Sequence, residues 1–165
     1  MKIEIRRAKL SDVEGMSVVV DSAWCENYKE IFSSEQIAEY TGENRRKSFA
    51  NLVNNGKDVF VLLRDNEIAA VCAVQACEDK LFEGYAEIML MYVHPKFQHQ
   101  GFGSKLFLHT LYEMRSKGYL YAVLDTAEKN VNARRFYEKL GFTERNTGES
   151  RKFDDVTEVI NTIKL

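Results

Sequence analysis

Proline is almost missing from this chain: Pro95 is the single one in 165 residues, alongside nine glycines. So low a content of both excludes collagen-like repeats and argues against a disordered chain. Cysteine is equally sparse. Cys25, Cys72 and Cys77 show neither the spacing of a metal site nor a disulfide framework, so no metal is expected; Cys72 lies in an apolar run and reads as a small buried thiol. A reducing compartment suits this usage, and the expected location is the cytoplasm. No apolar run approaches the roughly 18 residues of a membrane-spanning helix. The opening MKIEIRR alternates apolar and charged residues where a signal peptide needs an apolar core. Nor is there an excess of charge: 23 basic and 25 acidic residues leave a net charge of -2, which gives no support to a field-driven contact with nucleic acid or a membrane surface. Internal repeats, low-complexity segments and a polar linker are absent too, and one domain over residues 1–165 is expected.

What is present is a globular composition, 45% apolar and 29% charged. Residues 2–8 have period two, with Ile3 and Ile5 on one face, and predict a strand. Ser11 followed by Glu14 has the form of a capping box, so a helix is expected from there through Met16, Val19, Val20 and Ala23. Trp24 near its end and Tyr28 one turn later suit either a core or a substrate pocket. Ser33 or Ser34 caps a second helix, which breaks near 41–44 before a helical segment through Phe49, Leu52 and Val53. The runs at 59–64 and 68–76, separated by Asp65 and Asn66, predict an antiparallel hairpin.

A longer strand follows at 84–94. Its residues 88–93 are all apolar, which predicts a central strand covered on both faces, with the carboxylate of Glu87 conspicuous beside them. A helix over about 101–117 places Phe102, Leu106, Phe107, Thr110, Leu111 and Met114 on one face and stops at Gly118. The strand expected at 119–126 completes a parallel crossover. Asn130 or Asn132 caps a further helix ending at Gly141; 142–145 begins an edge element, 146–155 is read as a hairpin loop, and 156–165 is the last strand, antiparallel to that edge element. One mixed sheet with flanking helices, an α/β fold, accommodates all of this.

Chemistry concentrates at 92–118, where a strand ends at Pro95, a polar turn carries Gly101 and Gly103, and a helix begins. Amides at a helix start and in the turn before it can point at a pyrophosphate, and glycine removes the side chain that would hold the anion away. Gly101 and Gly103 are therefore read as approach and turning residues; the plain alternative is that they punctuate a strand-helix connection.

Gln98-His99-Gln100-Gly101-Phe102-Gly103, the preceding Val93-His94-Pro95, and the later Asn130, Ala133 and Tyr137-Glu138-Lys139-Leu140-Gly141-Phe142 together resemble the GCN5-related N-acetyltransferase (GNAT) family, in its small microbial form. The resemblance covers nearly the whole chain and is most specific between 84 and 142. It implies a single-domain fold whose mostly antiparallel sheet contains a splayed parallel strand pair, with acetyl-CoA as acetyl donor in the V-shaped opening. The pyrophosphate would be held by amides from Gln98, His99, Gln100, Gly101, Phe102, Gly103 and Ser104, and the pantetheine arm by the backbone of Met91, Tyr92 and Val93.

The implied reaction is direct transfer of the acetyl group to a primary amine of a small molecule or peptide in a ternary complex. The amine must lose a proton, the oxyanion needs stabilisation, and the leaving thiolate benefits from a proton donor. Tyr137 corresponds to the tyrosine that protonates the sulfur in many relatives, and a phenol with a reference pKa of about 10 is protonated at neutral pH. It also reads as an ordinary helix tyrosine beside Phe136. Asn130 resembles the residue that orients the coenzyme arm, and a capping role competes with that. Glu87 lies eleven residues before Gln98, as does the catalytic glutamate of histone-acetylating relatives; it is a candidate general base, or else a group that binds the substrate ammonium or a water.

Trp24, Tyr28 and Phe32 are candidates for the acceptor side, and Glu26, Glu30 and Glu83 for attracting a cation. The sequence does not identify the amine. A coenzyme-binding regulator or degenerate relative is the competing class, against which the retention of both Glu87 and Tyr137 weighs. Relatives often form a homodimer through terminal strands, and the alternation at 156–163 permits that.

Overall fold

A computed structural model of the chain describes residues 1–148 and 150–165. Its helices and strands sort into two compact units, Met1–Gln75 with Met89–Thr110, and Ala76–Ile88 with Leu111–Leu165.

In the first unit, β1 (Ile3–Arg7) pairs antiparallel with β2 (Asp58–Arg64), and β2 with β3 (Glu67–Ala76). Asp65 and Asn66 make the two-residue turn between β2 and β3 with φ of 49° and 68°, the left-handed geometry that short polar side chains tolerate and that matches the twist of a hairpin. Residues 59–63 and 69–74 are all buried, as continuous apolar strand runs must be when both faces are covered.

Helix α1 (Val13–Asn27) buries Met16, Val19, Val20, Ala23 and Trp24. It does not start at a Ser11–Glu14 capping box. Residues 10–12 form a 3-10 turn, and Asp12 precedes the helix because its carboxylate is already held by two bonds from Arg6, at 2.7 and 2.9 Å, and by the Lys9 N–H at 2.9 Å. Helix α2 (Ser34–Tyr40) does have a capping box, in which the Ser33 hydroxyl accepts from the Gln36 N–H and Gln36 Oε1 from the Ser33 N–H. Helix α3 (Gly42–Asn54) follows directly.

Strand β4 (Ala86–Val93) contributes its later residues to the first unit and its earlier ones to the second. The expectation that 88–93 is enclosed on both faces needs correction: Met89 is 37% exposed and Leu90 to Val93 are only half-buried. An apolar sequence run reports what a strand can bury; the ladder it shares with its parallel neighbour ends at Glu87, and the residues beyond keep an open face. Helix α4 (Phe102–Ser116) begins in the first unit, and all six residues assigned to its apolar face are buried.

In the second unit, β4 pairs parallel with β5 (Tyr121–Ala127) at Ala86↔Ala122 and Glu87↔Val123. β5 pairs antiparallel with β8 (Val156–Lys164) over seven positions. β8 also carries β6 (Thr143–Arg145) and β7 (Arg151–Phe153). β7 falls in the segment expected to be a plain hairpin loop, of which position 149 lies outside the described residues. Three residues with polar neighbours are too short a run to be read as a strand without their partner on β8. Helix α5 (Val131–Lys139) completes the unit.

Replacing the fully buried Leu106 by alanine is expected to cost about 2–5 kcal/mol of unfolding free energy. The same change at Leu108, 54% exposed on the same helix, should stay within about 0.5 kcal/mol. Urea denaturation of the two variants checks this; equal losses would contradict the assigned buried face.

Candidate active site

The turn after β4 is built to present amides. The His94 imidazole Nδ1 accepts from the Lys96 N–H at 3.2 Å and the His94 N–H donates to the Ala69 carbonyl. Burial, and after it the neighbouring Lys96, lower the His94 pKa below its ordinary value, which keeps the ring neutral and able to accept. Gln98 reaches back through Nε2 to the Val93 carbonyl at 3.2 Å, and its own N–H donates to Pro95. The backbone N–H of Gln98 is thus spent on shaping the turn, which leaves the amides of residues 99–104 as the candidates for holding an anion. Gln100 likewise braces the turn, donating to the Lys96 carbonyl and accepting from Arg64.

His99 (φ 60°) and Gly101 (φ 79°) are both left-handed, a geometry that turns successive amides toward a common concavity. A Cβ added at Gly101 would meet no atom within 4 Å, so the glycine serves backbone geometry there. The turning role belongs to Gly101 alone. Gly103 already lies in the first turn of α4, where a missing side chain allows close approach. The Lys105 N–H donates to Gly101 at 3.1 Å, so the amides of Phe102, Gly103 and Ser104 precede the first hydrogen bond of the helix and face outward from its positive end. The amides of this turn, and the half-buried residues Met91, Tyr92 and Val93 before it, are the groups available to hold a pyrophosphate and a pantetheine arm. Lys105 is exposed beside it.

Trp24 resolves the choice between core and pocket toward packing. It is 4% exposed, stacks on Tyr28 at 4.9 Å, and meets Phe32 at 4.9 Å and Tyr40 at 5.4 Å. Its indole N–H donates to the Tyr92 hydroxyl at 2.9 Å, so the cluster fixes the side chain of a β4 residue.

In the second unit, Asn130 caps α5: its side-chain oxygen accepts from the Ala133 N–H at 3.1 Å. Tyr137 is 8% exposed and packs against Phe136 and Phe142 with ring centroids 5.3 and 5.9 Å away.

Glu87 stands among carboxylates that sequence reasoning missed. Glu87 is level with Val123 on β5, Asp125 lies two residues further, and Asp125 faces Ile160 on β8, two residues from Glu158. Neighbours in register share a face and residues two apart share it again, so Glu87, Asp125 and Glu158 form a row across three strands. Arg151, opposite Glu158 on β7, donates to Asp125 at 3.1 Å and to Asp79. Its guanidinium lies over the ring of Phe82 at 5.7 Å, which packs with Val123 and Ile160.

Burial pushes the Glu158 carboxyl up to about 7, and Asp125 adds to the rise. Burial also raises Asp125, opposed by Arg151 and reinforced by Glu87 and Asp79; with 27% of its side chain still accessible, water moderates the effect. Asp79 moves the other way because the Leu81 N–H, and then Arg151, stabilise its charge. Isolated carboxylates in the apolar segments 121–127 and 156–164 were the available signal, but only strand register puts them together. Glu26, Glu30 and Glu83 are exposed.

Residues 21–142 match the acetyltransferase (GNAT) family, well over half of the chain, and the protein belongs to that family. The fold is the family's mixed, mostly antiparallel sheet with flanking helices. Membership sets the general chemistry, acetyl-CoA-dependent transfer of an acetyl group to an amine. Spermidine N(1)-acetyltransferase of Thermoplasma acidophilum is 28% identical over 152 residues, covering 91% of this chain and 94% of that protein. [Ribosomal protein bS18]-alanine N-acetyltransferase of Haemophilus influenzae is 28% identical over 129 residues, 78% of this chain and 83% of that one. The crystal structure of PaiA N-acetyltransferase from Thermoplasma acidophilum in complex with coenzyme A superposes over 100% of both chains with a TM-score of 0.86 at 23% identity.

Glu158 ties stability to pH. Its carboxyl titrates near 7 when folded against an ordinary value of 4.5, so between those values the folded state holds a proton the unfolded chain has released. Stability from this group therefore falls as pH rises from about 4.5 to about 7 and is level above. Glu158→Gln should remove that slope, and its stability relative to the parent protein should rise between pH 5 and pH 8 in denaturant titrations. An unchanged difference would refute the shifted carboxyl.

Proposed function

We propose that this protein acetylates a primary amine of a small polycationic acceptor, a polyamine being the simplest member of the class, by direct attack within a ternary complex in the cytoplasm. The observation that carries this reading is the carboxylate row Glu87–Asp125–Glu158 on one face of β4, β5 and β8. An extended chain with several ammonium groups needs spaced negative charges, and the row supplies three of them across β4, β5 and β8. The likeness to a spermidine acetyltransferase over 91% of the chain supports the same class.

The amides of 99–104 and the backbone of Met91–Val93 are the groups that would hold acetyl-CoA, which supplies an activated acetyl group on a thiolate leaving group. An alkylammonium with a reference pKa of about 10.4 is deprotonated at pH 7 at a cost of roughly 4–5 kcal/mol. Glu87 is the residue to take that proton, directly or through a water, as the amine nitrogen forms its bond to the acetyl carbon. The carbon–sulfur bond breaks, Tyr137 gives a proton to the departing sulfur, and the second proton shed by the acylated nitrogen restores the phenol. Asp125 and Glu158 hold the ammonium groups that do not react. Because Glu158 titrates near 7, cation binding draws it toward the charged form and releases a proton.

Mass detection of acetyl transfer from acetyl-CoA to spermidine, and to a peptide with an N-terminal alanine, tests the reading: monoacetylated spermidine is expected. Acetylation of the peptide with spermidine untouched would overturn the polyamine class. Asp125→Asn should raise the spermidine KM by about five- to tenfold with little change in kcat, the loss of one partly exposed charge contact. Tyr137→Phe should lower kcat by about 100-fold with KM for acetyl-CoA nearly unchanged. The reverse pattern of effects would exchange the two roles.

A further inference from the structure

The tip of the β2–β3 hairpin reaches the turn that follows β4, and both belong to the first unit. Arg64 and Glu67 flank the two-residue hairpin turn and pair directly across the ladder, so their side chains leave the same face. The tip itself is tied down: Asp65 Oδ1 accepts from the Lys2 N–H at 2.8 Å, and the Asp65 N–H donates to the Lys2 carbonyl at 2.9 Å. From there Arg64 donates to Gln100 Oε1 at 3.3 Å, Gln100 Nε2 donates to the Lys96 carbonyl at 3.1 Å, and the Lys96 ammonium donates to the Glu67 carboxylate. The four residues close a ring. Phe97, 6% exposed, carries both of its cations, with the Arg64 guanidinium 5.4 Å and the Lys96 ammonium 4.8 Å from its centroid, within the range at which an aromatic face attracts a cation.

This ring spans the part of the turn that local preference would not hold. Lys96 and Gln100 are anchored on either side of His99, whose φ of 60° is disfavoured for a residue with a Cβ. Glu67 is the member that needs explaining. A carboxylate near amides that are to take a pyrophosphate opposes the charge of the ligand. Its partner is Lys96, whose N–H and carbonyl are both used inside the turn, by His94 and Gln100.

We infer that Glu67 is a positioning residue for acetyl-CoA, acting through Lys96 and Gln100 to hold the amides of 99–104 in place before the coenzyme arrives; this rests on those amides receiving the pyrophosphate. A turn that is already ordered loses less conformational entropy on binding, so the ring contributes to affinity without touching the ligand. Glu67 thus acts in two opposite senses. Its field disfavours the anion, and its bond to Lys96 favours the geometry that binds it. With 54% of the Glu67 side chain accessible, water and salt screen the field, whereas the constraint is held by a network of contacts. The constraint is the larger effect.

Titration calorimetry of the full chain with acetyl-CoA tests this through the sign of the change. Glu67→Gln removes a negative charge, which by field alone would tighten an anion. Loss of positioning weakens it instead, and a Kd about three- to fivefold higher is expected, the size of one exposed charge contact. In a Lys96→Met background the same substitution should no longer weaken binding, because the residue it acts through is gone. The thermal midpoint of Glu67→Gln should move by no more than about 2 °C, which separates positioning from a general loss of structure. An unchanged or lower Kd in Glu67→Gln, or equal weakening with and without Lys96, would overturn the inference and leave the coenzyme site standing. No saturable binding by the parent protein up to about 1 mM, the upper end of ordinary KM values, would overturn the site and the inference together.

Discussion

The candidate site depends on how β4 divides its hydrogen bonds. Its first residues are tied to β5 by a parallel ladder of two pairs, Ala86↔Ala122 and Glu87↔Val123, and its last residues are half-buried. Parallel pairing requires a crossover of a dozen or more residues, here through α4. The polar turn that presents the amides of 99–104 is part of that crossover, so the geometry of those amides follows from how the chain returns to its sheet. Glu87 sits at the last paired position, where β4 meets the row of carboxylates.

Electrostatics organises the second unit in the same way that the turn organises the first. Asp125, Glu158 and Asp79 gather around Arg151, and partial burial raises Asp125 and Glu158 from their ordinary values while a backbone N–H and Arg151 lower Asp79. One guanidinium faces four carboxylates including Glu87, so acidic groups outnumber basic ones in this cluster. By contrast Cys72, whose thiol burial pushes up to about 12, is inert packing, in keeping with its place in an apolar strand.

Much of this was legible in the sequence, for local reasons. The hairpin turn at Asp65 and Asn66, the Ser33 cap, the buried face of α4 and the cap at Asn130 each rest on residues within a few positions of one another, where turn chemistry and helical period act directly. The errors were also physical. Ser11 yielded to Asp12 as the residue before α1 because Arg6, on a different element, captured the Asp12 carboxylate. The apolar run of β4 suggested a fully enclosed strand, but hydrophobicity does not say how far a neighbour's ladder extends.

By itself, the sequence determined the class of protein, the order of its elements and the glycine turn after β4, and it named Glu87 and Tyr137 as candidates, because strand, turn and helix signals are short-range and the family pattern spans them. Only the tertiary structure decided which charges act together. Asp79, Asp125, Arg151 and Glu158 are scattered over some 80 positions of chain and become neighbours only in the folded sheet. Register is set by pairing across the whole sheet, and no local signal carries it.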